Sequence, residues 1–356
     1  MSTNLENPWL GKRILITGCC GTVGKELIRQ ILPHDPLEII GLDNNESELF
    51  FISEEYKSAE NTHFYLGDMR DRDTLNSMMI GIDVVLHTAG LKHVIVCEKS
   101  PRDPIQTNIL GTQNVIDAAI KNNVGRVLFT SSDKAVNPTN VMGTSKLMGE
   151  RLMTAADAHR RGVGTIFAST RFGNVLGSRG SVVPIFQQQI AKGGPITLTD
   201  SEMTRFIMTL SQATQLVMES TFLAKGGEVF VTKMPVVKIV DLAKAMIDIL
   251  APQYGYTSAE IDLVTIGTKP GEKLYEELMN DEEVRRTVEL ERYFSVLPAF
   301  RSVYEDVNYD YPGIYDTVVD NPYNSSVEAS MSLDEVHQYL IDHNVLEESN
   351  IVAEPA

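Results

Sequence analysis

Cysteine and long apolar runs are scarce in this 356-residue sequence. Two of its three cysteines, Cys19 and Cys20, are adjacent and Cys97 is remote, which fits neither a disulfide framework nor the spacing of a metal site. No run reaches the roughly 18 apolar residues that a membrane span requires, and the amino-terminal stretch lacks the features of an export signal. We therefore expect a cytoplasmic protein with no metal centre and no membrane association.

Positively charged residues are also few. Lysine and arginine together number 31 against 48 acidic residues, giving a formal net charge of -17. Such a surface repels a polyphosphate backbone, so we expect no nucleic-acid partner. With 43% hydrophobic and 22% charged residues the chain can bury a substantial core, and its length suits one or two domains.

Short β-branched apolar runs alternate with stretches of helical period, the pattern of βαβ units that build a parallel sheet. Strands are predicted at Arg13–Thr17, Glu38–Leu42, Thr62–Leu66, Asp83–His87, Arg126–Thr130 and Thr165–Arg171. We predict an α/β fold with a Rossmann-type doubly wound parallel sheet and a smaller carboxyl-terminal substrate-binding lobe. The predicted boundaries are 10–174 for the Rossmann domain, to which later segments return, 175–286 for the interleaved lobe and 287–356 for a carboxyl-terminal extension.

A glycine-rich segment follows the first predicted strand directly and opens a predicted helix. Gly18 permits a tight turn, Gly21 lets a pyrophosphate approach the backbone at the helix N-terminus, and Gly24 lets helix and strand pack closely. Thr22 and Val23 complete the predicted cradle, and the helix is predicted from Lys25 to Leu32. The spacing alone is a weak signal, but a strand before it and a helix after it are typical of dinucleotide-binding folds.

An acidic residue, Asp43, ends the second predicted strand. A carboxylate at this point binds the ribose hydroxyls of NAD and repels the 2′-phosphate of NADP, so NAD is favoured over NADP. The alternative for Asp43 is to cap the helix predicted from Glu46. After the third strand, Asp68 and Met69 are predicted near the adenine, and Ala89 after the fourth strand completes the cofactor contacts.

Six further segments form a dense pattern. They are HTAGLKHV at 87–94, TNILGT at 107–112, SSDKAVNP at 131–138, MGTSK at 142–146, RFGNVLGS at 171–178 and KPGEKL at 269–274. Together these segments resemble the extended short-chain dehydrogenases and, within them, the polysaccharide-biosynthesis branch of UDP-N-acetylglucosamine 4,6-dehydratases. The resemblance covers roughly residues 12–277 and is far more specific than any one motif.

The resemblance implies that NAD oxidises C4 of the sugar, that water is eliminated across C5 and C6, and that the hydride returns to C6. A C4 ketone acidifies the C5 proton, so one base and one acid suffice for the elimination. By resemblance Asp133 protonates the departing C6 hydroxyl and Lys134 removes the C5 proton, which requires a lowered lysine pKa. Ser132 stands before this pair where relatives have threonine. Without the flanking motifs, the pair would indicate a surface ion pair.

Met142 and Lys146 are spaced to share one helical face, as in the YxxxK pair of the family. Lys146 is expected to hold the nicotinamide ribose. Met142 replaces the family's tyrosine, and a thioether cannot take the C4 hydroxyl proton. One part of the dehydratase branch carries this MGxxK variant, so the substitution favours dehydration over 4-epimerisation.

Motif positions also supply candidates for contact with a UDP-sugar. These are Lys92, His93, Asn174, Ser178, Arg205, Lys269 and Glu272. Arg205 is the best candidate for bidentate binding of the pyrophosphate, and Lys269 stands where relatives usually have arginine. His93 is alternatively a core histidine, and Asn108 is expected to bond backbone beside the site.

The favoured function is that of a UDP-N-acetylglucosamine 4,6-dehydratase, with or without C5 epimerisation, which makes a UDP-4-keto-6-deoxy sugar for glycan biosynthesis. A UDP-sugar 4-epimerase shares the cofactor but needs an acid-base group that Met142 is not. A non-catalytic sensor of NAD or nucleotide sugar is the third possibility, because fold alone does not fix function. By resemblance we expect a homo-oligomer, either a dimer or a hexamer.

Overall fold

The computed structural model describes residues 7–159, 164–178, 180–267, 271–300, 307–316 and 318–348. A ten-stranded, mostly parallel sheet forms its centre. The strands of the described chain are β1 Arg13–Thr17, β2 Glu38–Asp43, β3 Thr62–Leu66, β4 Val84–His87, β5 Arg126–Ser132, β6 Ile166–Phe172, β7 Asn174–Val175, β8 Ile196–Leu198, β9 Thr204–Met208, β10 Val229–Thr232, β11 Val236–Lys238, β12 Leu263–Thr265, β13 Glu277–Met279, β14 Thr287–Leu290, β15 Tyr293–Val296, β16 Ile314–Asp316 and β17 Tyr323–Asn324.

Helices connect most of these strands. They are α1 Thr22–Ile31, α2 Glu46–Glu55, α3 Arg72–Met78, α4 Val94–Lys99, α5 Arg102–Pro104, α6 Thr112–Lys121, α7 Val141–His159, α8 Val182–Ala191, α9 Leu210–Leu223, α10 Ile239–Leu250, α11 Asp281–Val284, α12 Leu333–Asp342 and α13 Val345–Glu348. Ile105–Gly111, between α5 and α6, is π-helical, and Asp133–Ala135 after β5 is a single 3₁₀ turn. Among the described residues, no helix combines the length and apolar character that crossing a bilayer demands.

The order of the main sheet is β16-β14-β15-β10-β6-β5-β4-β1-β2-β3. All neighbours from β10 to β3 are parallel, whereas β15, β14 and β16 are added antiparallel at the β10 edge. This arrangement confirms the predicted Rossmann-type sheet. The domain boundaries stay a prediction, although residues 287–316 of the predicted extension contribute three strands to the main sheet.

Successive residues of the central strands bury opposite faces of the sheet, as parallel strands covered on both sides require. Ile14 and Ile16 of β1 pack into one hydrophobic cluster, whereas Leu15 between them packs into the other. A third cluster forms the smaller lobe, where Leu242 and Met246 of α10 pack with residues of α8 and α12. The lobe therefore has its own core.

The sheet order reverses at β1, because β2 lies on one side of it and β4 on the other. In open α/β sheets, ligands bind outside the carboxyl ends of the strands at such a switch point. The glycine-rich loop after β1 and the segment after β4 border the resulting crevice.

A buried ion triad ties the sheet to the chain that follows the lobe. Arg171 of β6, whose side chain is 1% exposed, contacts Glu150 of α7 at 2.8 Å and Glu283 of α11 at 2.7 Å. It also donates a hydrogen bond of 2.9 Å to the carbonyl of Leu278 in β13. Because both carboxylates are buried, removing the guanidinium would take the ion-pair partner from Glu150 and would leave Glu283 with only the longer 3.7 Å contact to Arg286, in a medium that disfavours charge.

Replacing this arginine should therefore destabilise the whole fold. We expect Arg171→Met to lower the free energy of unfolding by about 3–5 kcal/mol, measured by urea denaturation. Lys57→Met, which breaks an exposed pair with Glu54, is the control and should change it by less than about 1 kcal/mol. Equal effects of the two substitutions would contradict the role given to the triad.

Candidate active site

The glycine-rich loop holds the ends of β1 and β4 close together. Gly18 has a φ of +74°, and a Cβ at this position would lie 2.7 Å from the backbone of Ala89. A Cβ on Gly24 would lie 2.7 Å from the Cα of Cys19, so helix α1 packs directly on the loop. Both positions therefore require glycine, for the reasons that the sequence indicated.

Beside this loop lies a cavity of about 540 Å³, walled by the carboxyl ends of β1 to β4 and by α4. The predicted cofactor residues that line it are Gly18, Gly21, Asp43, Asp68, Met69 and Ala89. Thr22, Val23 and Gly24 instead form the first turn of α1 behind the loop. The crevice thus combines a helix N-terminus, glycine backbone and an acidic side chain, which together suit a dinucleotide.

Asp43 is fixed by two backbone groups at the mouth of this cavity. Its carboxylate accepts hydrogen bonds of 3.0 Å from the amides of Cys20 and Asn45. Helix α2 is capped by Asn45, whose side chain accepts from the amide of Glu48 at 3.1 Å. The alternative that Asp43 caps this helix is therefore wrong, and its carboxylate faces the cavity.

Asp68 is engaged by a neighbouring cation. Both of its oxygens accept from the guanidinium of Arg70, at 2.5–3.0 Å, and this arginine lowers the pKa of Asp68 below its ordinary value. Arg70 also lines the cavity. The adenine end of the crevice is therefore bordered by an ion pair rather than by a lone carboxylate.

Lys146 is not among the described residues that line the first cavity, but it lies directly behind one of them: a Cβ on Gly90 would lie 3.0 Å from its Nζ. It is 7% exposed, donates a hydrogen bond of 2.9 Å to the carbonyl of Thr130 and lies 4.8 Å from the ring centre of Phe129. Burial lowers its pKa to about 8. Asn108 exchanges hydrogen bonds of 2.7 and 3.0 Å with the backbone of Leu91 nearby, which confirms its predicted structural role.

The 3₁₀ turn after β5 presents the predicted acid-base pair. The ammonium of Lys134 lies 2.8 Å from Oδ2 of Asp133, whose side chain is 4% exposed. The hydroxyl of Ser132 donates to Oδ1 of Asp133 at 2.6 Å and accepts from the amide of Lys134 at 3.2 Å. Asp133 is therefore buried and held by the turn, whereas the side chain of Lys134 is 34% exposed. With one partner enclosed, the pair differs from the surface ion pair considered as its alternative.

Glu276 completes this cluster, and the sequence did not single it out. Its Oε1 lies 3.6 Å from the ammonium of Lys134 and 3.2 Å from Nε of Arg205. Its Oε2 accepts from the side chain of Asn174 at 2.7 Å, and its carboxyl group shares a hydrogen bond with Asp133. It follows the KPGEKL segment closely, but only the fold shows that it, and not a neighbouring glutamate, points into the cluster.

Burial and mutual charge set the protonation of these groups. Burial opposes the charge on Asp133, yet Lys134 and Ser132 outweigh it and lower the pKa of Asp133. Burial also opposes the charge on Lys134, but the two carboxyl groups raise the pKa of Lys134 above its ordinary value. Burial and Asp133 raise the pKa of Glu276 to about 7. The expected lowered pKa of Lys134 is therefore wrong, because its nearest charged neighbours are acids.

The cluster opens into a second cavity of about 590 Å³, and Val96 lines both cavities. Predicted residues that line it are Asp133, Lys134, His93, Asn174, Arg205 and Glu272. Lys92 is exposed and Ser178 half-buried, and neither is among the described lining residues. His93 is exposed, so the alternative of a core histidine is wrong. Lys269 lies outside the described residues.

The guanidinium of Arg205 is not free for the bidentate binding of a pyrophosphate that the sequence predicted. Its Nη1 donates to the carbonyls of Thr204 and Leu274 at 2.7 and 3.2 Å, and its Nη2 donates to the carbonyl of Lys273 at 2.9 Å. With its Nε on Glu276, most of its donors are occupied within the protein. Arg205 therefore positions Glu276 and the loop that bears it.

Met142 occupies the second position of α7, and its side chain is 2% exposed. It shares the helical face of Lys146, as the spacing indicated. Among the described residues that line the two cavities there is no tyrosine. Met142 stands where the family has tyrosine, and among these lining residues no other tyrosine takes over its role.

Comparison with known proteins agrees with this geometry. Residues 14–298 match the model of a family described as "Polysaccharide biosynthesis protein". A UDP-N-acetylglucosamine 4,6-dehydratase (inverting) of Campylobacter jejuni is 38% identical over 301 residues, which cover 84% of this chain and 86% of that protein. A UDP-glucose 4-epimerase of Rickettsia canadensis is 34% identical over 349 residues, covering 96% and 98% of the two chains.

A solved structure is similar over nearly its full length. Pen from Bacillus thuringiensis superposes with a TM-score of 0.88 and 39% identity, covering 95% of this chain and 99% of that one. The family model spans more than half of the sequence and contains the glycine-rich loop, the Asp133–Lys134 pair and Lys146. The chain therefore belongs to the polysaccharide biosynthesis protein family.

Proposed function

We propose that this protein is a UDP-N-acetylglucosamine 4,6-dehydratase that uses NAD. The observation that carries the proposal is the cluster of Asp133, Lys134 and Glu276, in which two buried carboxyl groups face one partly exposed lysine and which opens on a cavity adjoining the dinucleotide crevice. An elimination across C5 and C6 needs an acid and a base at one place, and this cluster supplies both. The Campylobacter relative with this name supports the same reaction.

The first cavity suits a dinucleotide. The loop approaches closely at Gly18 and Gly24, and Asp43 offers a carboxylate to the ribose hydroxyls. A bound nicotinamide would accept the C4 hydride and later return it to C6. Lys146 donates one N–H to Thr130, and an ammonium has three, so further N–H groups can hold the nicotinamide ribose.

The acid-base roles require one proton to move before elimination. In the unliganded protein Lys134 carries the proton and Asp133 lacks it, whereas the proposed roles need the reverse. The 2.8 Å contact between them gives a direct path. A substrate that displaces water from the cavity disfavours separated charges and so favours neutral Asp133 with a neutral Lys134 amine. That amine takes the C5 proton, and Asp133 gives its proton to the departing C6 oxygen.

Glu276 adjusts this exchange. Its carboxyl group shares a hydrogen bond with Asp133 and lies beside Lys134, so its own protonation decides how strongly Lys134 holds its proton. When Glu276 is protonated, Lys134 loses one negative neighbour, while the hydrogen bond from Glu276 lowers the pKa of Asp133. The proton positions of the three groups therefore depend on one another. Arg205 and Asn174 hold Glu276 in this position.

A UDP-sugar 4-epimerase is the competing function, and the Rickettsia relative so named covers nearly the whole chain. That reaction moves a proton on and off the C4 hydroxyl and needs no group at C6. The buried Met142 and the cavity linings without tyrosine among their described residues favour dehydration. A homo-oligomer and a cytoplasmic location stay predictions.

The product of the reaction distinguishes the two functions. With UDP-N-acetylglucosamine and NAD, we expect a UDP-linked 4-keto product that is lighter by one water, detected by mass spectrometry. Asp133→Asn and Lys134→Ala should each lower turnover by at least about a hundredfold while NAD still binds.

Lys273→Met is the matched control, since this lysine lines the same cavity but pairs with Glu277 rather than with Asp133. It should affect the Michaelis constant more than turnover. A product of unchanged mass indicates epimerisation. No product despite tight NAD binding supports a sensor, and full turnover in both pair variants contradicts the proposed roles.

The raised pKa of Glu276 predicts a particular dependence of stability on pH. The folded-state pKa of Glu276, about 7, lies above the ordinary 4.5. Its contribution to the free energy of unfolding is therefore complete below pH 4.5 and is lost as the pH rises through about 7. The stability of the native protein relative to Glu276→Gln should therefore fall by about 1–3 kcal/mol between pH 5 and pH 8 in urea denaturation. Glu277→Gln, at the adjacent residue, is the control, and equal slopes for both variants would refute the assignment.

Asp43 should determine the choice between NAD and NADP. Removing its charge removes the repulsion of a 2′-phosphate and weakens binding to the ribose hydroxyls. In fluorescence titrations we expect Asp43→Asn to reduce the preference for NAD by at least about tenfold, which corresponds to about 1.4 kcal/mol. Asp68→Asn, in the same cavity but paired with Arg70, should leave the preference nearly unchanged.

A further inference from the structure

The two adjacent cysteines of the glycine-rich loop are brought to Asp43 by the fold. Cys19 and Cys20 are 0% and 5% exposed, and their sulfur atoms are 4.0 Å apart. A carboxylate oxygen of Asp43 and the two sulfur atoms all lie within 4.8 Å of one another. The sequence predicted no metal site, because the third ligand comes from the end of the neighbouring strand and not from a cysteine motif.

The separation of the two sulfur atoms is close to that of a tetrahedral metal site. Two Zn–S bonds of about 2.3 Å at tetrahedral angles place the sulfur atoms about 3.8 Å apart. Thiolates with one carboxylate suit a borderline-soft ion such as zinc, and a fourth position would remain for water. Each Asp43 oxygen accepts one backbone hydrogen bond, which fixes the carboxylate and leaves further lone pairs for an ion.

We propose that Cys19, Cys20 and Asp43 form a binding site for a thiophilic divalent cation, zinc, and that this ion and the dinucleotide exclude one another. Each cysteine that binds the ion releases its thiol proton to solvent. The exclusion rests on the proposed function, which assigns the carboxylate of Asp43 to the cofactor ribose. Cys20 and Asp43 both line the dinucleotide cavity, so an ion held there occupies the position of the ribose hydroxyls.

Cadmium is the probe for this site, because thiolate coordination gives it an ultraviolet charge-transfer band. We expect dinucleotide-free protein to bind one equivalent of cadmium with this band, and zinc to displace it. Cys19→Ala and Cys20→Ser should each weaken binding by more than about a hundredfold, since loss of a direct ligand exceeds the effect of an outer partner. NAD binding by both variants verifies that they fold.

Cys97→Ser is the matched control. Cys97 is buried and lines the same cavity, but it is not among the three clustered residues. This variant should keep the cadmium band. A band that survives the loss of both Cys19 and Cys20, or that disappears with Cys97, overturns the proposed site.

Exclusion is tested by repeating the cadmium titration at increasing NAD concentrations. The apparent dissociation constant for cadmium should rise in proportion to the NAD concentration. An unchanged constant in protein saturated with NAD overturns the exclusion. If the protein binds cadmium but no dinucleotide at all, the proposed function fails while the metal site stands. If it binds NAD but no cadmium, the metal site fails while the proposed function stands.

Discussion

The buried guanidinium of Arg171 is the constraint on which the rest of the site depends. It bridges Glu150 on α7 and Glu283 on α11 and also bonds the backbone of β13. Since α7 carries Lys146 and β13 directly follows Glu276, one charge positions both the dinucleotide side and the acid-base side of the centre. Elements that met only through apolar side chains could shift relative to one another at little cost. The ion pairs of Arg171 with Glu150 and Glu283 fix the relative positions of these elements, because any shift would take a buried carboxylate away from its partner.

Low dielectric also gives the acid-base cluster its chemical character. Asp133, Glu276, Lys134 and Arg205 lie together at the edge of the second cavity, so each proton position alters the others. The two carboxyl groups make Lys134 hold its proton more firmly than an isolated lysine. In the function proposed above, a substrate that fills the cavity would raise the cost of both charges and make the neutral pair accessible. The acid-base pair would then take over the work of the phenol that Met142 lacks.

The sequence predicted those features that depend on neighbouring residues. Two of the six predicted strands have the same bounds as β1 and β3, and the other four agree with β2, β4, β5 and β6 to within one or two residues at each end, because apolar periodicity is local. Glu276 and the carbonyls of Lys273 and Leu274 that occupy the donors of Arg205 were not predicted, since they are distant in the chain from the groups they contact. The proximity of Asp43 to the cysteines was missed for the same reason. The protonation of Lys134 was also missed, because Glu276 adds to the effect of the adjacent Asp133.

The antiparallel strands β14 to β16 also protect the sheet. Without them β10, with Val229, Phe230 and Val231 buried, would be the outermost strand, and its unpaired backbone groups would offer a template for strands of other molecules. During synthesis these three strands are the last of the main sheet to be made. Until they are available, the sheet of the nascent chain has an open apolar edge at β10. Chains interrupted before that point are therefore the form of this protein most prone to aggregate, and quality control must act on them first.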